Sequence, residues 1–135
     1  MKRILIPVDG SEPSLSTLKA VLAERVHGPV RIDLVNVQPL FSRHVAGWIG
    51  KQQRDAWRAE RARAVLEPLR AVLEAAGVEH GIHVRCGDVE TEIAAAAREL
   101  HADEIVRPRP APFRYERVAV PAGLGLIALL ILADE

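Results

Sequence analysis

The chain has 135 residues and a mass of 14.8 kDa, a size that suits one domain able to bury a core without disulfides or structural metals. Its 18 basic and 18 acidic residues give no net charge, which argues against a nucleic-acid partner because such binders carry a basic excess. The single cysteine, Cys86, excludes an internal disulfide and favours a reducing compartment. The N-terminus shows no signal-peptide pattern, so we expect a cytoplasmic protein.

The first predicted element is a buried strand. The apolar run Ile4–Val8 leads into the turn Asp9–Ser11, and an apolar run bounded by turn residues is typical of a strand covered on both faces. Ser11 is predicted to cap the helix that follows. Open α/β sheets bind their ligands at the carboxyl ends of the strands, so Asp9 is the first candidate for a ligand-facing residue.

The chain then alternates between helical and strand patterns up to residue 106. Leu15, Leu18, Leu22 and Val26 recur at helical spacing and predict the buried stripe of the first helix. The other predicted elements are helices over 51–76 and from 88 onward, and strands over 30–37, 78–86 and 104–106. This alternation predicts an α/β fold with a parallel sheet and helices on both faces.

The composition changes abruptly after residue 106, and we therefore divide the chain into an α/β domain, 1–106, and a divergent segment, 107–135. Residues 107–117 hold three prolines and four arginines, which disfavours both a helix and a central strand. The apolar run over 123–133 predicts a final strand, a short buried helix or an exposed tail. It is shorter than the roughly 20 residues that a membrane span needs, so no membrane partner is expected.

Four motifs resemble the universal stress protein family: ILIPVDGSEPS, LVNVQP, RCGDVETEIAAAA and ADEIV. The resemblance implies a flavodoxin-like or Rossmann-like sheet, similar to that of adenine nucleotide alpha hydrolases and usually of five parallel strands. It also implies a homodimer with a role in stress response and regulation, and ATP or another adenine nucleotide as the ligand of many members. By the same resemblance, the nucleotide-binding residues are Pro7, Val8, Asp9, Ser11, Val37 and Gly87.

The chain departs from the family where the phosphates are expected to bind. Members that bind ATP have a glycine-rich motif after the fourth strand, whose backbone N–H groups hold the phosphates. Here that place holds Arg107-Pro108-Arg109-Pro110, and proline has no N–H to donate. This departure predicts that nucleotide binding is weakened or lost. Natural divergence and a shifted reading frame both remain open as its origin.

An alternative is that ATP or AMP still binds, with Arg107, Arg109 and Arg114 supplying charge in place of the missing amides. A third hypothesis, a weak ATPase or a phosphotransfer enzyme, has little support because the sequence contains neither a Walker motif nor a nucleophile elbow. We therefore expect no catalytic residues. The histidines show no metal-ligand spacing, so no metal site is predicted.

Overall fold

The computed structural model describes residues 1–40, 50–110, 113–120 and 127–132. The helices are α1 (Glu12–Ala23), continued by a short 3-10 turn (Glu24–His27), α2 (Lys51–Ala76) and α3 (Val89–Glu99). The strands are β1 (Lys2–Pro7), β2 (Val30–Gln38), β3 (Glu79–Cys86), β4 (Glu104–Pro108), β5 (Phe113–Ala119) and β6 (Ile127–Leu132).

The strands form one six-stranded sheet in the order β3-β2-β1-β4-β5-β6. The first four strands are parallel, with Ile4 of β1 lying between Ile32 of β2 and Glu104 of β4. The strands β5 and β6 are antiparallel to their neighbours. The predicted α/β class with its parallel core is therefore confirmed. The sheet differs from the five parallel strands that are usual in the family, because it has six strands and the last two are antiparallel. The fifth strand is antiparallel to β4 because only four residues join Pro108 to Phe113, whereas the connection between two parallel strands needs a dozen or more.

Helices cover both faces of the sheet, as predicted. Ile4 and Ile6 of β1 pack on the face that α1 and α2 cover, together with Leu73 of α2. Leu5 points to the other face and packs with Ile93 of α3. A strand with alternate residues in two cores has to be apolar at every position, which accounts for the continuous run at the start of the chain.

The first helix buries a different stripe from the predicted one. Leu18 and Val21 are fully buried, whereas Leu15 is 37% exposed and Val26 is 83% exposed. The prediction was wrong at Val26 because α1 stops at Ala23, and a 3-10 turn, which has a different periodicity, carries Val26 away from the core. It was also wrong at Leu15, since the buried residue in the first turn is Ser14.

The arginine- and proline-rich segment is partly strand, although its composition was expected to disfavour a central strand. The fourth strand continues through Arg107 to Pro108, and β5 begins only after the last of the three prolines. Of the three alternatives for the apolar end of the chain, Ile127–Leu132 form a strand. The residues that flank this strand lie outside the described part.

Besides its backbone pairing with β4, the fifth strand is linked to the end of α1 and to β4 by ion pairs of one arginine. Arg117 forms ion pairs with Glu24, just beyond α1, and with Glu104 of β4, where the N–O distance is 3.1 Å. Its side chain is only 13% exposed. The ion pairs of Arg117 therefore connect β5 to the end of α1 as well as to β4.

Candidate functional site

The turn after β1 is positioned by β2. The backbone N–H of Val8 donates to the carbonyl of Val35 at 2.9 Å, and the side-chain amide of Asn36 donates to the carbonyl of Val8 at 2.9 Å. Asn36 is itself buried and accepts a hydrogen bond from Gln38. These bonds hold the backbone that precedes Asp9 at the carboxyl edge of the sheet.

The carboxylate of Asp9 is oriented by two serines. Its Oδ1 accepts hydrogen bonds from the backbone N–H of Ser11 at 2.9 Å and from the hydroxyl of Ser14 at 3.3 Å. The side-chain hydrogen bond with Ser11 is the main cause that lowers the pKa of Asp9, because hydrogen bonds to a carboxylate stabilise its charged form. Asp9 is therefore an ionised, exposed group at neutral pH.

Ser11 precedes the first residue of α1, but its side chain makes no capping hydrogen bond with the helix. The predicted capping role of this hydroxyl was therefore wrong. The serine instead acts on Asp9, two residues earlier in the turn. Its contribution to the site is to orient a carboxylate.

A cavity of about 270 Å³ lies at this edge of the sheet. Its walls come from the turn after β1, from β2, from the first turns of α3 and from the end of β4. The lining residues are Pro7, Val8, Asp9, Val35, Val37, Val89, Ile93, Arg107, Pro108 and Arg109. The structure therefore brings four of the six predicted site residues together around one cavity: Pro7, Val8, Asp9 and Val37.

The other two predicted residues do not line the cavity. Ser11 acts through Asp9, as described above. Gly87 has a φ of +146° and donates its backbone N–H to the carbonyl of Gln38 at 3.0 Å. A Cβ at this position would lie 3.2 Å from the side chain of Glu92. Gly87 therefore shapes the turn that begins α3.

Three apolar residues of the cavity, Val35, Val89 and Ile93, were not predicted. Val35 lies two residues before Val37 on the same face of β2, and this alternation is a signal that the sequence contains. Val89 and Ile93 are four apart in α3 and so face the same side of the helix. Asp88 fixes the start of that helix, because its carboxylate accepts the backbone N–H of Thr91 at 3.0 Å.

The side of the cavity formed by β4 is basic. Arg107 forms a two-armed ion pair with Glu90 of α3, with N–O distances of 3.0 and 2.9 Å. Arg109 is exposed and has no ion pair among the described residues. Arg114 lies in β5, and its side chain is outside the described part, as is any contact that it makes.

Among the described residues, no group of three histidine, cysteine or acidic side chains is arranged to hold a metal ion. No helix in the described part of the chain has the length and apolar composition that crossing a membrane requires.

The family model described as "Universal stress protein family" matches residues 1–110. The chain belongs to the universal stress protein family. No match was found among the curated proteins. The matched segment contains all of β1–β4 and every residue that lines the cavity.

Solved structures support the same assignment. A universal stress protein family member from Burkholderia pseudomallei is 28% identical, with a TM-score of 0.64, and the alignment covers 80% of this chain and 81% of that one. The hypothetical protein MJ0577 is 25% identical, with a TM-score of 0.65 and coverage of 77% and 71%. An Arabidopsis thaliana family member with AMP bound is 14% identical, with a TM-score of 0.61 and coverage of 81% and 77%, which shows a common fold.

Proposed function

We propose that this universal stress protein binds an adenine nucleotide in the cavity and acts as a regulatory protein without turning the nucleotide over. One observation carries the proposal: a single cavity combines an apolar wall, an ionised carboxylate and two arginines. Each of these groups suits one part of a nucleotide. An apolar pocket with a few convergent polar groups is the common form of a small-molecule site.

The side chains of Val35, Val37 and Ile93 form the apolar part of the cavity, which suits the faces of a purine. Asp9 is an acceptor for ribose hydroxyl groups, because an ionised carboxylate accepts hydrogen bonds from O–H donors. Arg107 and Arg109 supply the positive charge that a phosphate requires. The volume, about 270 Å³, lies just below the usual range of about 300–1,000 Å³ for ligand pockets and so suits a small nucleotide.

The Arabidopsis structure adds support, since that protein shares the fold and has AMP bound. The alternative, that nucleotide binding is lost, is favoured by Pro108 and Pro110, which follow Arg107 and Arg109 and offer no N–H groups to a phosphate. The two hypotheses differ in a measurement on the purified protein.

Thermal unfolding with and without 1 mM AMP tests the proposal, with Val37→Phe as the variant that fills the apolar part of the cavity. A ligand at about 100 times its Kd stabilises the folded state by roughly 2.7 kcal/mol. We expect a rise in Tm of several degrees for the wild type and none for Val37→Phe. Val84→Phe is the matched control, because Val84 is a strand valine that is 53% exposed and does not line the cavity.

Absence of a Tm shift for the wild type, together with no nucleotide in the purified protein, would favour the hypothesis that binding is lost. Equal shifts for wild type and Val37→Phe would place the nucleotide elsewhere. The non-catalytic part of the proposal has its own test. Release of phosphate from ATP that exceeds the background and disappears in Asp9→Ala would contradict it.

A further inference from the structure

This cavity differs most from a glycine-lined phosphate site on its β4 side, which is positively charged. Arg107, Pro108 and Arg109 all line the cavity, and Pro110 follows them. Two of these four residues have no N–H, so this segment cannot surround a chain of phosphates with backbone donors. Positive charge is concentrated instead on two guanidinium groups.

One of these two guanidinium groups already has a partner. Glu90, in the first turn of α3, forms bonds of 3.0 and 2.9 Å with Arg107. Its side chain is 72% exposed, and exposed ion pairs contribute little to stability. A phosphate can therefore replace Glu90 on Arg107, but the carboxylate remains close to the bound anion.

Among the described residues, the charged groups at or beside the cavity also include Asp9, Arg109 and Glu116. Asp9 lines the cavity, and Glu116 of β5 lies directly opposite Arg107 in the antiparallel pair. The described residues at and beside this part of the cavity thus include three carboxylates and two guanidinium groups. A monophosphate places its charge beside the arginines, whereas the additional charges of a triphosphate meet the carboxylates, and no third guanidinium group of the described residues lines the cavity.

We propose that this site selects adenosine monophosphate over the triphosphate, and that Glu90 is the residue that determines this selectivity. The inference rests on the nucleotide binding proposed above, and it names the ligand class of the same cavity. Arg107 contacts the phosphate and Glu90 acts on it as a nearby negative charge. The negative charge of Glu90 is therefore expected to act on the phosphates and not on the nucleoside.

The test is a calorimetric titration of adenosine, AMP and ATP into the wild type and three variants: Glu90→Gln, Arg107→Gln and Glu99→Gln. EDTA is present so that Mg²⁺ does not neutralise the triphosphate. Glu99→Gln is the matched control, since Glu99 is an exposed glutamate of α3 that is also paired with an arginine, Arg85, but does not line the cavity.

We expect the wild type to bind AMP more tightly than ATP. Glu90→Gln should improve ATP binding relative to AMP by about tenfold, because removing one charge several ångströms from the phosphates changes their repulsion by that order. Arg107→Gln should weaken AMP and leave adenosine unchanged, and Glu99→Gln should resemble the wild type. Unchanged adenosine binding also reports that each variant is folded.

Wild-type binding of ATP as tight as that of AMP would overturn the inference while leaving the proposed function intact. The inference would also be overturned if Glu90→Gln had the same preference for AMP over ATP as Glu99→Gln. An Arg107→Gln variant with undiminished affinity for AMP would overturn it too. No binding of any of the three ligands would overturn the proposed function, and the inference with it.

Discussion

Replacing Arg117 with methionine removes the charge that links β5 to Glu24 and Glu104 and keeps most of the side-chain volume. Glu24 and Glu104 then lose a shared partner in a region where their side chains are 25% and 15% exposed. Breaking a buried ion pair costs about 3–5 kcal/mol, whereas an exposed pair is worth about 1 kcal/mol or less.

The expected cost lies between these limits. Lys2 remains 2.6 Å from Glu104, so only one of the two carboxylates is left without a cation. Glu24 is near the surface and regains part of its hydration. We therefore expect Arg117→Met to lower the free energy of unfolding by about 2 kcal/mol. This would lower the Tm by roughly 8 °C in a domain of this size.

Urea unfolding followed by circular dichroism measures the change. Arg63→Met is the control, because Arg63 and its partner Glu60 are both exposed and the loss should stay below about 0.5 kcal/mol. The double variant Arg117→Met with Glu24→Gln should recover part of the loss, since the unpaired carboxylate of Glu24 is then removed. A loss for Arg117→Met no larger than that for Arg63→Met would refute the stabilising role of the Arg117 ion pairs.

Gly81→Ala should destabilise the protein by about 1–3 kcal/mol in urea unfolding, because the new Cβ would overlap the carboxylate of Asp33, which is buried; a neutral result would contradict the close approach. Pro68→Ala should stabilise the protein by up to about 3 kcal/mol, since it removes a proline from the interior of α2; an unchanged urea midpoint would count against this. Asp88→Ala should destabilise the protein at pH 7, because the hydrogen bonds from the hydroxyl and N–H of Thr91 lower the pKa of Asp88. A lowered pKa means that this contribution is present above 3.8 and is lost as the pH falls through the folded-state pKa. The difference between wild type and variant should therefore shrink at pH 3, and a constant difference would argue against the carboxylate as the cause.

Local patterns were enough to predict the four parallel strands and the three helices. Each of these elements carries its own periodicity and its own end signals, such as Asp88 before α3. The same patterns placed Asp9 and Val37 at the ends of neighbouring strands, and so at one edge of the sheet. The first-helix stripe failed at Val26 because periodicity does not show where an α-helix changes into a 3-10 turn.

The direction of β5 could not be read from local patterns. Prolines at 108 and 110 argued against a strand, but strand pairing depends on the neighbour that a segment meets and not only on its own composition. The ion pair between Glu90 and Arg107 joins residues on different elements, as does the pair between Arg117 and Glu24. No spacing rule in the sequence relates such residues, because they meet only after the sheet has formed.

By itself the sequence determined the parallel core of the sheet and the edge at which Asp9 and Val37 lie, since apolar runs and turn residues act locally, and its motifs resembled those of the family. Only the tertiary structure decided what surrounds Asp9 at that edge. Long-range packing places Val89 and Ile93 over the cavity and sets Glu90 against Arg107. The properties of the site depend on these distances between elements, and they arise from folding of the whole chain.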